Sequence, residues 1–175
     1  MRMLTFRDYL DYSEKCLGKV NKDDPISEWF LIPACILAWS SIEAFVNNML
    51  DDFASLDPKM FALHERSFLL EERLKFVNEG DNIGKFILEG KEYRKLEDKI
   101  FFLIAKCSGP DLKTVKGENL WQKFENFKDI RDSLVHPRRG KIVNLTKEMV
   151  EDFIETSKHI IQLISKNVWK KEVTF

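Results

Sequence analysis

Ile130-Arg131-Asp132-Ser133-Leu134-Val135-His136-Pro137 is the stretch whose reading decides the fold. It closes a helical pattern: Leu120, Phe124, Phe127 and Leu134 recur at helical spacing, and Trp121 and Ile130 widen the apolar stripe. The pattern predicts a helix from about Glu118 to Val135. Pro137 sets its end, because the residue before a proline is pushed out of the α region, and that residue is His136. Arg131 stands four after Phe127 and three before Leu134, inside the apolar stripe. A guanidinium is costly there unless it is paired.

Working outward, a second ionisable group lies in the same kind of place. Ile36, Trp39, Ile42, Phe45, Val46, Met49 and Leu50 form the stripe of the longest apolar element. That element reads as a helix over about Ile26 to Ala54, with Pro33 either kinking it or marking its first turn. Glu43, four after Trp39 and three before Val46, points along this stripe. It needs a cationic partner, and Arg131 is the best candidate.

The other elements follow from caps and breakers. Thr5 with Asp8 resembles a capping box for a helix running to about Leu17. Asp57-Pro58 reads as an N-cap and first helical residue, opening a helix or helix pair to about Asn78 with Phe61, Leu69, Leu70, Leu74 and Phe76. Glu79 to Gly90 is the loosest part. Lys91 to Lys106 reads as a helix with Leu96, Ile100, Leu103 and Ile104 on one side, stopped by Ser108-Gly109-Pro110. Asp111 to Lys116 is a connector. Thr146 caps a last helix to about Lys170, with Val150, Phe153, Ile160, Ile164 and Val168 inward. No strand is evident. Long helices with short connectors predict an all-α antiparallel bundle, a single domain over residues 1-175.

Arg131, a polar residue directly after it and His136 five positions on resemble the hallmark of the HEPN superfamily: Arg, four to six residues, then His. Residues 38 to 48, Ala-Trp-Ser-Ser-Ile-Glu-Ala-Phe-Val-Asn-Asn, resemble the second-helix pattern of the same domains. The resemblance covers the second helix and the last two. It implies a HEPN-like four-helix core, with extra helices inserted between roughly residues 56 and 110. It also implies a metal-independent endoribonuclease, plausible as a toxin or phage-defence effector, working at a homodimer cleft where one His and one Arg from each chain face one phosphate.

The chemistry is consistent with those residue types. RNA cleavage without metal needs a group to take the 2′-hydroxyl proton, a donor for the leaving oxygen, and positive charge on the phosphorane. An imidazole titrates near neutrality and can move protons. An arginine is always charged and grips phosphate in a fork. On this reading His136 transfers protons and Arg131 stabilises the phosphate. Asp132, four before His136, orients the ring, and Asn47 and Ser133 are supporting polar contacts. Arg138, Arg139 and Lys141 form a short basic loop suited to an RNA backbone. In a toxin subgroup a tyrosine two residues after the His is modified by a partner nucleotidyltransferase. Arg138 stands there instead, so that regulation is not implied; an antitoxin protein of another kind remains a candidate partner.

The alternative is a non-catalytic HEPN-like module for dimerisation and RNA or protein binding. In it Arg131 and Glu43 form a structural ion pair and His136 only ends a helix.

Other motifs are weaker. Gly80-Asp81-Asn82-Ile83-Gly84-Lys85 approaches a phosphate-binding P-loop but is one residue short, has Phe86 where Ser or Thr is needed, and follows no predicted strand. His64 and His159 have no neighbour at metal-ligand spacing and read as surface residues; no metal and no cofactor is expected. Cys16, Cys35 and Cys107 read as free buried thiols in a reducing compartment. A net charge of −1 gives no bulk attraction to nucleic acid, so any polyanion site must be local. The apolar run Trp29 to Trp39 is too short to span a bilayer and the first residues lack a signal-peptide core. A cytoplasmic protein with no membrane partner is expected.

Overall fold

A computed structural model describes residues 4–107, 111–137 and 143–175. The helices fall largely where the apolar periodicity puts them: α1 (Phe6–Leu17), α2 (Leu31–Ala54), α3 (Leu63–Leu69), α4 (Leu96–Cys107), α5 (Leu112–Gly117), α6 (Asn119–Val135) and α7 (Lys147–Val168). One antiparallel pair of strands, β1 (Glu72–Phe76) and β2 (Phe86–Lys91), interrupts them. The protein is therefore mostly helical rather than purely all-α.

The helix ends have local causes. The Thr5 hydroxyl accepts from the Asp8 N–H while the Asp8 carboxylate accepts from the Thr5 N–H, closing the expected capping box. Pro33 is the third residue of α2, within the first turn, where its missing N–H costs no helical bond. A separate 3-10 turn, Pro25–Phe30, leads into it. Asp57 caps only another 3-10 turn, Pro58–Met60. The connector after residue 110 is the short helix α5, capped by Asp111. Thr146 caps α7 through the Met149 N–H. The stop predicted at residues 108 to 110 lies outside the described residues.

The strands correct the expected helix through Leu74 and Phe76; β2 falls at the end of the stretch that reads as loosest, and the helix expected from Lys91 begins only at Leu96. Leu74 faces Leu88 and Phe76 faces Phe86 across the ladder, with the two Phe rings 5.1 Å apart. Gly80, Gly84 and Gly90 hold positive φ, which turns and bulges require and side chains resist. Leu70 to Leu74 is also a helical spacing, and in so short a run periodicity cannot separate the two structures. Cross-strand packing decides it. The P-loop-like segment is the tip of this hairpin. A strand does precede it, but a strand rather than a helix follows.

The chain forms two compact units whose boundaries fall inside α2 and α4. The first takes the chain up to Phe45 and again from Leu103; the second is Val46–Phe102. Among its described residues the first unit has helices and connectors but no strand. Its core is aromatic: Trp39 of α2 stacks on Phe124 of α6 at 5.2 Å and meets Phe127 edge-on, and Phe127 stacks on Phe153 of α7 at 4.3 Å. Ala34, Cys35, Ala38 and Ser41 are small and fully buried on α2. Ser13 of α1 donates to the Ala34 carbonyl at 2.7 Å. Ile36, predicted on the inner stripe, is only half-buried, as is Val168.

In the second unit Phe68 of α3 stacks on Phe102 of α4 at 4.6 Å. Glu71, which takes a positive φ of 50°, ties the unit together. Its carboxylate accepts from the Arg94 N–H and from the Lys99 ammonium, and its carbonyl accepts from the Glu92 N–H. By length and composition the helical run Pro25–Ala54 could cross a membrane, which the shorter apolar run alone did not suggest; half of its most apolar window is buried in the structure.

Candidate functional site

Three residues one helical turn apart on α2, Cys35, Trp39 and Glu43, line one face. Arg131 of α6 lies over them. Its guanidinium carbon sits 5.4 Å from the centre of the Trp39 ring, a cation–π contact. Its Nη2 donates to Glu43 Oε1 at 3.2 Å, so the pair anticipated from the two apolar stripes is formed. The indole Nε1 of Trp39 donates to the same oxygen at 2.7 Å. Glu43 is thus held in place by a buried ring on its own helix, and it in turn holds one arm of Arg131.

The other arm goes elsewhere. Arg131 Nη1 donates to Asp132 Oδ1 at 2.8 Å. Asp132 therefore serves the arginine, and among the described residues no hydrogen bond joins it to the His136 ring. The Arg131 Nε is buried with no hydrogen-bond partner. The side chain is 23% exposed, against 38% for Glu43 and 43% for Asp132, so the cluster is half-buried at the surface rather than a sealed ion pair. Burial pushes the Cys35 thiol up to about 12, with the Arg131 charge pulling weakly the other way. It stays protonated at any working pH and is no nucleophile.

His136 ends α6 as expected. Its N–H donates to the Asp132 carbonyl at 2.9 Å, its backbone leaves the helical region (φ −123°, ψ 69°), and the residue is exposed. The helix positions Arg131 inward and releases His136 outward just beyond the same helix end.

The remaining predicted residues fall apart from this arrangement. Ser133 donates back to the Asp129 carbonyl of its own helix at 2.6 Å. Asn47 is exposed and accepts from Lys99 at 3.0 Å, within the second unit. Arg138, Arg139 and Lys141 lie outside the described residues. His64 and His159 are exposed. Of the cysteines only Cys35 is buried; Cys16 and Cys107 are half-buried, and all three are free. Among the described residues no group of three His, Cys, Asp or Glu is placed to hold a metal.

Sequence reasoning missed Trp39 as part of the site. Its position four before Glu43 was the available signal, since an indole N–H one turn from a carboxylate on a shared face is within reach. It also missed a groove of about 430 Å³ lined by Trp29, Ile32, Leu134, Val143 and Leu145, which flanks the motif stretch through Leu134. Trp29 is 78% exposed there. No protein family, curated protein or solved structure matches this chain, so the HEPN resemblance rests on the residues just described.

Proposed function

We propose that the protein is a metal-independent endoribonuclease of HEPN type, acting on RNA at a cleft between two copies of the chain, in the role of a toxin or phage-defence effector. The observation that carries the reading is the pairing of a positioned cation with a free imidazole. Arg131 is fixed on Trp39 and Glu43, and His136 is released to solvent from the same helix end.

His136 takes the proton of a 2′-hydroxyl, whose oxygen attacks the adjacent phosphorus. The bond to the 5′-oxygen breaks, and that oxygen receives a proton from the second imidazole of the cleft. Arg131 offsets the charge gathering on the non-bridging oxygens. Exposed apolar side chains beside the motif, Trp29, Ile32 and Val135, are the kind of surface a second copy would cover. The basic residues Arg138, Arg139 and Lys141 follow His136 directly in the sequence and suit the RNA backbone.

Purified protein incubated with mixed cellular RNA in excess EDTA, beside His136→Ala, tests the proposal. Cleavage by the first and none by the second supports it. Equal cleavage by both, or by neither, counts against it.

One observation favours a second reading, a non-catalytic helical module. Both Nη arms of Arg131 are taken by carboxylates, and among the described residues no hydrogen bond orients the His136 ring. In that reading the cluster stabilises the fold, and the protein binds RNA or another protein without cutting it.

A further inference from the structure

The two arms of Arg131 are held in different ways. Glu43 accepts from Arg131 Nη2 and from the indole of Trp39, a residue only 3% exposed, so that contact is anchored by the core. Asp132 has no second partner among the described residues. It is the immediate neighbour of Arg131 on α6, and adjacent helical side chains diverge by about 100°. Both must lean across to bring Nη1 and Oδ1 to 2.8 Å, and the Asp132 carboxylate is 43% exposed where water competes for it. Among the described residues one positive charge therefore faces two carboxylates, one fixed and one loosely held.

We propose that Asp132 is an exchangeable placeholder, and that a phosphate oxygen of single-stranded RNA displaces it from Nη1 while Glu43 keeps Nη2 in position. The site then has a built-in brake: the carboxylate that satisfies Arg131 in the resting protein competes with every phosphodiester that approaches. Swapping an O⁻···H–N contact with a carboxylate for one with a phosphodiester costs no net hydrogen bond, and the released carboxylate regains its water. The inference rests on the ribonuclease reading only in placing an RNA phosphate at Arg131.

The test uses a short, dye-labelled, fully 2′-O-methylated RNA, which binds but offers no 2′-hydroxyl to attack. Its affinity is read by fluorescence anisotropy at low ionic strength. Asp132→Asn is compared with wild type and with Asp129→Asn, which removes the same charge from an exposed position on the same helix. We expect Asp132→Asn to bind about fivefold tighter, the scale of one exposed ion pair released. Asp129→Asn should change affinity less than about twofold, as a charge without a contact to Arg131. The gain should vanish on Arg131→Gln, so that the double variant binds like Arg131→Gln alone, with thermal melts confirming that each variant is folded. Equal gains from the two Asp→Asn changes, a gain that survives Arg131→Gln, weaker binding by Asp132→Asn, or no binding by any form would each overturn the proposal. Cleavage of ordinary RNA by wild type against His136→Ala is scored separately. The placeholder can thus fail while the ribonuclease stands, or hold while no cleavage occurs.

Discussion

Arg94 and Arg131 occupy almost the same surroundings. Arg94 sits 5.3 Å from the centre of the Phe68 ring, bonds Glu92 at 2.7 Å, is 24% exposed and has a buried Nε with no hydrogen-bond partner. Arg131 sits 5.4 Å from the Trp39 ring, bonds Asp132 at 2.8 Å, is 23% exposed and has the same unpartnered Nε. A half-buried arginine lying on an aromatic face beside a carboxylate is therefore a packing solution found in each of the two units among the described residues. Burial, the ring contact and the missing Nε partner do not by themselves mark a site.

What differs is the charge balance and the neighbourhood. Around Arg94, among the described residues, Glu71 and Glu92 face Arg94 and Lys99, two charges of each sign, and the contacts join the turn before β1, the segment after β2 and α4. No histidine occurs from residue 65 to 135. Around Arg131, among the described residues, two carboxylates face one cation, and an exposed imidazole follows at the helix end. The Arg94 cluster is closed and structural. The Arg131 cluster has a contact to spare.

The largest effect should separate the two regions by activity. His136→Ala should lower RNA cleavage in EDTA by about 10²-fold or more, the scale of a lost proton-transfer group, without moving the melting temperature. Arg94→Ala should leave cleavage at the wild-type rate. Loss of cleavage in a folded Arg94→Ala protein would show that the Arg94 cluster is not merely structural.

Next comes stability. Arg131→Ala and Arg94→Ala should each cost about 1–2 kcal/mol in denaturant unfolding, less than the loss of one member of a fully buried pair, because water reaches the carboxylates left behind. Glu43 also retains the Trp39 indole as a donor. A cost well above this range for Arg131 alone would make it a core residue and favour the non-catalytic module.

Trp39→Phe keeps a ring under Arg131 and removes the donor to Glu43. It should cost about 1 kcal/mol, the worth of one hydrogen bond. Arg131 should then hold its arm less firmly, lowering cleavage in a protein that still melts cooperatively.

The smallest effect is a pH dependence in the second unit. Burial tends to raise the Glu71 carboxyl, but the Lys99 ammonium and the Arg94 N–H and charge outweigh it and hold the carboxyl below its usual range. Its stabilisation is therefore complete above the unfolded value of about 4.3 and is lost as pH falls through the lower folded value. Glu71→Gln should be less stable than wild type by about 1 kcal/mol at pH 7, since water still reaches part of the carboxylate. The two proteins should converge on acidification. An Asp132→Asn melt should show no comparable loss at pH 7, because its exposed pair is worth little.

The amino-acid order by itself determined the long helices and most of the residues they bury. Apolar side chains every three to four residues leave one face that water disfavours, as Trp39, Ile42 and Val46 or Phe124 and Phe127 illustrate. Pro137 determined the end of α6, because its ring forbids a helical residue before it. Even the Glu43–Arg131 pair was legible, since two opposite charges on inward stripes have few other ways to be satisfied. The hairpin was not legible. Leu74 and Phe76 fit either period, and only the partners Leu88 and Phe86 across the ladder choose between them. Nor was the choice made by Asp132, which could reach either toward His136 or toward Arg131. Tertiary structure decided it by bringing α2 beneath α6. Trp39 and Glu43 fix one arm of the guanidinium there, the other is left beside Asp132, and His136 remains facing the water.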